Sequence, residues 1–218
     1  MKKENLIRRY IIFLLGLILV AFGVAFATKA NLGSSPIAVI PYSLSLILPQ
    51  FSFGKWTIIF SILLIVIECI LLKKNIDKME IIVQIIITFF FGYVTDFSMF
   101  CLSAFNPDIY VAKIISLLTG CMIIAIGAYL EVIADVAMLP GDAFVRAIAR
   151  VSGKEFGIVR VISDVCMTVI AAVMCLVFLR ELSGAREGTV IAALLIGNVV
   201  KMITPRMTKV KKFLLGEK

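Results

Sequence analysis

The stretch Asn31-Leu32-Gly33-Ser34-Ser35-Pro36-Ile37-Ala38-Val39-Ile40-Pro41-Tyr42-Ser43-Leu44-Ser45 decides how this chain is read. Gly33 permits a tight turn, the serines suit a helix N-cap, and Pro36 suits a first helical position, where its missing N–H costs nothing. The apolar piece that follows, Pro36–Leu48, is short. At about 1.5 Å per residue it reaches roughly 20 Å, against a hydrocarbon core of about 30 Å. If Ala30–Ser35 dips inward at about 3.3 Å per residue, the short helix runs back outward with its N-terminus pointing into the membrane centre. A second start of the same kind, Leu139-Pro140-Gly141-Asp142, opens another short piece, Gly141–Val151. Backbone of this kind is tolerated at such depth only where protein buries it or it lines a wet cavity.

Around these two pieces the chain is strongly apolar. Of its 218 residues 61% are hydrophobic and 17% charged, with a mean hydropathy of +1.09. Soluble domains run near 45–50% apolar and about 25% charged, so a water-soluble globule is excluded, as are disordered, coiled-coil and collagen-like classes. Six long apolar runs surround the short ones: Arg9–Thr28, Gly54–Leu72, Ile81–Ala104, Ile114–Leu130, Gly157–Leu179 and Gly188–Ile203. The first, with Lys2, Lys3, Arg8 and Arg9 before it and Ala25-Phe26-Ala27 near its end, imitates a secretory leader. It is longer than a leader's apolar core of about 7–15 residues and is predicted to be a membrane span.

The chain also resembles itself. A shift of 104 residues pairs Gly16 with Gly120, Ala21 with Ala125, Gly23 with Gly127, Asn31 with Asp135 and Pro36 with Pro140. One residue of slippage then pairs Phe53-Gly54 with Phe156-Gly157, Thr57 with Arg160 and Ser61 with Asp164; a further small shift pairs Gly92 with Gly197. The halves divide as residues 1–105 and 106–218 of one membrane domain. If the short pieces enter and leave on one side, sixteen of the 22 Lys and Arg fall inside and five outside, with Arg160 within a span. If they cross, the count becomes thirteen against six, and Lys73, Lys74 and Lys78 move outside. The excess of basic residues on cytoplasmic loops favours the first arrangement, with both termini inside, and accounts for the net charge of +8 without nucleic acid. The predicted fold is therefore an all-α integral membrane protein of two inverted repeats, each with three transmembrane helices and one re-entrant half-helix. That architecture recurs in secondary transporters, whose sites lie near the midplane between repeats.

Polar residues in so apolar a chain are candidates for chemistry. Two facing half-helix N-termini present free N–H groups and partial positive charge, which suits an anionic or zwitterionic solute. The candidate solute-binding set is Asn31, Ser34, Ser35, Tyr42, Asp142, Arg146, Arg160 and Asp164. Ser34, Ser35 and Asp142 equally fit plain helix caps. Arg146 and Arg150 follow Asp142 at i+4 and i+8; an Asp142–Arg146 pair would neutralise both, and the alternative, favoured for Arg150, makes both arginines anchors at the cytoplasmic rim. Arg160 and Asp164, again i and i+4, are charges inside a run, where they are rare and face the protein interior or a water path; their pair either braces the halves or lines the path. Glu68 reads as a headgroup-level residue, and Glu131 and Asp135 as rim groups. The five cysteines, without CxxC or any histidine nearby, read as small core hydrophobes. No metal, cofactor or enzyme is expected: without histidine there is no Ser–His dyad, and no Walker loop or Gly-x-Gly-Asp motif occurs. The run from Asp142 to Asp164 falls short of a CDP-alcohol transferase pattern, since Ala143 and Val161 stand where it needs Gly and Asp.

The run Leu32 to Ser45, with Leu139-Pro140-Gly141-Asp142, resembles the YczE/YyaS/YitT group of bacterial multi-pass membrane proteins over most of the chain. Some branches carry an aromatic and an acid after the first turn, where this chain has Ile37 and Ala38, so the resemblance puts any acid-dependent role on the second half. It implies a bacterial plasma-membrane protein and no substrate. The functional expectation is a small permease for a small polar or anionic solute. The alternatives are a non-transporting scaffold or accessory subunit, and a homodimer with its site between subunits.

Overall fold

The structure, a computed structural model, describes residues 3–73 and 76–206. Lys74, one of the three basic residues that discriminate the topologies, lies outside them, as do Lys2 and the basic C-terminal residues after Arg206. Eight helices and no strand occur among the described residues: α1 Lys3–Lys29, α2 Pro36–Ile47, α3 Phe53–Leu72, α4 Lys78–Cys101, α5 Tyr110–Ala134, α6 Pro140–Ser152, α7 Phe156–Phe178 and α8 Glu187–Arg206. Each of the eight apolar pieces read from the sequence has become one helix. Five of them, α1, α3, α4, α5 and α7, are long and apolar enough to cross a membrane. The apolar part of α8, Glu187–Val200, is shorter, as are α2 and α6.

Helix boundaries follow local chemistry. Pro36 and Pro140 stand in the first turn of α2 and α6. Asp77 caps α4 through the N–H groups of Met79 (2.9 Å) and Glu80 (3.4 Å), and Ser52 caps α3 through the N–H of Lys55 (3.3 Å). After α1 and α5 the chain turns at Asn31 (φ 55°) and Asp135 (φ 48°), both in the left-handed region that Asn and Asp tolerate best among residues with a Cβ.

At the centre α1 packs along α5. In its most apolar window α1 has 61% of its residues buried, against 22% for α3 and α7, so it is the interior helix. Glycines make this crossing close. A Cβ on Gly16 would lie 2.9 Å from the Gly127 carbonyl oxygen and 3.0 Å from Glu131 Cγ, and one on Gly127 would lie 2.7 Å from the Gly16 oxygen. A Cβ on Gly23 would lie 2.8 Å from Ile124 N and 2.9 Å from the Gly120 oxygen, and one on Gly120 would lie 2.7 Å from Ala27 N. Lipid tails are as apolar as leucine, so helices in a membrane associate by such close packing of small residues. Around this pair α4 packs on α1 and α8 on α5; α3 packs on α4 and α6, and α2 on α3 and α7. The outer faces of α3 (Ile59, Leu63, Val66, Ile70) and α7 (Val161, Val165, Val169, Val173) are exposed and apolar, as a lipid-facing surface requires. Cys121 and Cys175 lie in the core and Cys69 is half-buried, but Cys101 at the end of α4 and Cys166 on α7 are exposed. The expectation of core cysteines fails there because the apolar face of a lipid-contacting helix points outward.

These contacts separate two glycine substitutions. Gly23→Leu would push a side chain onto Ile124 backbone and is expected to lower stability by about 1–3 kcal/mol or more. Gly157→Ala, with nothing within 4 Å, is expected to change it by no more than about 0.5 kcal/mol. Thermal unfolding of the purified protein in detergent micelles measures both.

Candidate functional site

The two short helices meet tip to tip. A Cβ on Gly141, in the first turn of α6, would lie 3.0 Å from Ile37 Cδ1 in the first turn of α2. Pro36 and Pro140 have no N–H, and those of Ala38 and Asp142 are taken by the Ser35 (2.9 Å) and Leu139 (3.0 Å) carbonyls. The amides left at the two tips are those of Ile37 and Gly141. The expected side-chain caps do not form: the N-cap residues are Ser35 and Leu139, neither with a side-chain cap bond. Ser34 is fully buried with its hydroxyl 3.1 Å from that of Thr28, and Asp142 is drawn away by a cation.

That cation is Arg160. Its guanidinium pairs with Asp142 through Nη1 and with Asp164 through Nε (3.3 Å), so the first turn of α6 is tied to the early turns of α7. Arg146 does not pair with Asp142 as the i,i+4 spacing suggested; it reaches across to Glu80 at the start of α4. The two residues share one face of α6, but Asp142 is held by Arg160 of α7, and the long Arg146 side chain, one turn further on, reaches Glu80 of α4. The second carboxylate oxygen of Asp164 and one oxygen of Glu131 are buried with no hydrogen-bond partner, and Glu131 lies within electrostatic reach of Asp142. At the α6 tip two carboxylates therefore share one guanidinium, with Glu131 near Asp142.

The sequence missed the other half of this polar interior. Glu68, expected at headgroup level, is 1% exposed, and Gln84 and Thr88 on α4 are 0% and 1% exposed. One Glu68 oxygen, both polar atoms of the Gln84 amide and the Thr88 hydroxyl lack a hydrogen-bond partner. The Gln84 side chain, the Glu80–Arg146 pair and Arg150 are polar neighbours of Glu68. A signal was present: Glu80, Gln84, Thr88, Gly92 and Asp96 recur every four residues, a polar and small face along an otherwise apolar helix.

The remaining candidates lie elsewhere. Asn31 and Tyr42 line an open cavity of about 530 Å³ with Lys29, Ser45, Asp108 and Lys113, at the end of the molecule where α1 and α2 finish and α3 and α5 begin. Tyr42 stands edge-on to Phe53 at 5.6 Å between ring centres. Ser34 and Ser35 sit in the turn above α2, held by the N-terminus of α8, where the Gly188 N–H donates to the Leu32 carbonyl (2.9 Å). Of the eight candidates the structure thus gathers Asp142, Arg160 and Asp164 into one cluster, puts Asn31 and Tyr42 on one cavity, and leaves Arg146 and the two serines in other partnerships.

Among known proteins, the model of a family of unknown function, DUF6198, matches residues 7–205. No curated protein and no solved structure matches the chain. The match does not single out the narrower YczE/YyaS/YitT group.

Two substitutions test the electrostatics. Arg160→Leu leaves Asp142 and Asp164 facing each other without a counter-charge and is expected to lower stability by about 1–3 kcal/mol, with part regained in Arg160→Leu/Asp142→Asn. Glu68→Leu removes a buried carboxyl one of whose oxygens has no hydrogen-bond partner and is expected to raise the unfolding midpoint, since an unsatisfied buried polar group costs about 1–3 kcal/mol. Thermal melts of the four proteins at one pH read both.

Proposed function

The chain belongs to the DUF6198 family, and from that premise we propose a small inverted-repeat permease of the bacterial plasma membrane that carries a small polar or anionic solute. The observation that carries this reading is the meeting of the α2 and α6 tips at Ile37 and Gly141. One side of it has an open cavity bearing Lys29 and Lys113, and the other an ion cluster.

The inverted repeat is supported by how contacts transform under the 104-residue shift. Gly16 against Gly127 becomes Gly120 against Gly23 when each partner is exchanged for its counterpart. Gly16 against Glu131 becomes Gly120 against Ala27, and Gly23 against Ile124 becomes Gly127 against Val20. Ile37 and Gly141 are each other's counterparts, as residues meeting on a two-fold axis must be. The left-handed residues Asn31 and Asp135 correspond as well. Each repeat then has three spans and one re-entrant half-helix, with α8 as the sixth span and α2 and α6 as the half-helices. Two helix tips with free amides suit an anion; the acid surplus behind them suits a co-transported cation or proton.

A non-transporting scaffold is the second reading, favoured by the pairing of Asp142 with Arg160, which a structural brace also requires. Uptake into proteoliposomes across a panel of small anions separates the two. Wild type is expected to accumulate at least one anion and Asp142→Asn to lose roughly tenfold or more of that rate; uptake of none supports the scaffold. Cysteines placed at Lys73 and Lys78 are expected to react with an impermeant thiol reagent from the cytoplasmic side only, which tests the orientation.

A further inference from the structure

Corresponding glycines of the two halves are in opposite situations. Phe53-Gly54 opens α3, and Gly54 packs on Gly92 of α4: a Cβ on Gly92 would lie 2.8 Å from the Gly54 oxygen, and one on Gly54 would strike Gly92 and lie 2.6 Å from Asp96 Cγ. Asp96 fastens this contact, accepting from the Gly54 N–H (2.7 Å) and the Ser52 hydroxyl (2.5 Å). Phe156-Gly157 opens α7 in the same way, and Gly197 occupies in α8 the place of Gly92 in α4. Yet Gly157 and Gly197 have nothing within 4 Å, and α7 and α8 form no extended packing. The pair α3–α4 is shut; the pair α7–α8 stands apart.

We propose that the two pairs exchange these situations: in a second conformation α7 and α8 close on Gly157 and Gly197 while α3 and α4 part at Gly54 and Gly92. The inference rests on the inverted-repeat reading above but not on transport. A sequence that keeps glycine at both corresponding positions retains the means of close helix approach in lipid, and packed helix pairs are bistable rather than continuously deformable. In the sequence Glu155, the N-cap of α7, stands where Ser52 caps α3, and Lys201 follows Gly197 by four as Asp96 follows Gly92.

The exchange also names a binding chemistry. The open cavity beside the shut pair is lined by Asn31, Tyr42 and Ser45. Their counterparts are Asp135, Arg146 and Ala149. A cavity formed at the other end in the second conformation would therefore draw Arg146 from Glu80, offering an anion a guanidinium where the first cavity offers a phenol.

The test is thiol crosslinking in a cysteine-free background carrying Glu155→Cys and Lys201→Cys, the sequence counterparts of the hydrogen-bonded Ser52 and Asp96, which leaves both glycines in place, in lipid vesicles with no solute, using short bifunctional thiol reagents. A crosslink within one chain is expected, rising roughly tenfold or more when Asp96→Ala removes the two hydrogen bonds of the α3–α4 clasp and falling when Gly197→Leu blocks the approach. No crosslink in either background, or crosslinks only between two copies, overturns the proposal. A second measurement guards against misfolding of the double variant. With Cys at Ala149, labelling by a water-soluble thiol reagent is expected to rise in Asp96→Ala and to stay at the parent level in Gly197→Leu; equal labelling in all three overturns it. Neither assay needs a transported solute, so a failed uptake assay and a failed crosslink remain separate results.

Discussion

The close crossing of α1 and α5 is the constraint on which the rest depends. Gly16, Gly23, Gly120 and Gly127 bring two backbones so near that a single added methyl would press on main-chain atoms. A membrane offers little hydrophobic drive between helices, so this contact supplies by fit what burial supplies in water. With it in place, the chain ends of α1 and α5 are held at opposite ends of the molecule. The turns at Asn31 and Asp135 then send α2 and α6 back toward each other from those ends. The meeting of Ile37 with Gly141 follows from the crossing.

Charge in the interior is arranged by the same geometry. Ionised groups taken from water lose several kcal/mol each unless paired, and each cation here found a partner on another helix: Arg160 on α7 with Asp142 on α6, and Arg146 on α6 with Glu80 on α4. These pairs tie α6 to α7 and to the start of α4, so the short helix is anchored electrostatically where its length gives it little apolar surface. Carboxylates outnumber guanidinium groups, and the surplus oxygens on Glu68, Glu131 and Asp164 are left without hydrogen bonds. A buried polar atom left without a partner weakens a fold.

Legibility varied by residue for physical reasons. Pro36 and Pro140 announced the short helices because proline tolerates few other positions, and every apolar run became one helix. Side-chain caps, one of the two readings of Ser34, Ser35 and Asp142, do not form, since local spacing cannot report that Thr28 meets Ser34 and Arg160 takes Asp142. Arg146 was misread likewise: i,i+4 geometry permits a bond to Asp142, and a carboxylate 66 residues away prevailed. Glu68, late in its apolar run, reads as a headgroup-level residue, whereas the fold buries it.

The order of residues along the chain determined what each segment is. Apolar length, proline, glycine and the left-handed Asn31 and Asp135 act within a few residues, so helix positions and ends were written locally. Which charges meet, which glycines touch and which stand apart were decided only when the helices packed, because those contacts join segments tens to more than a hundred residues apart and depend on helix rotation. Gly54 and Gly157 look alike in the sequence; the fold shut one against its neighbour and left the other open.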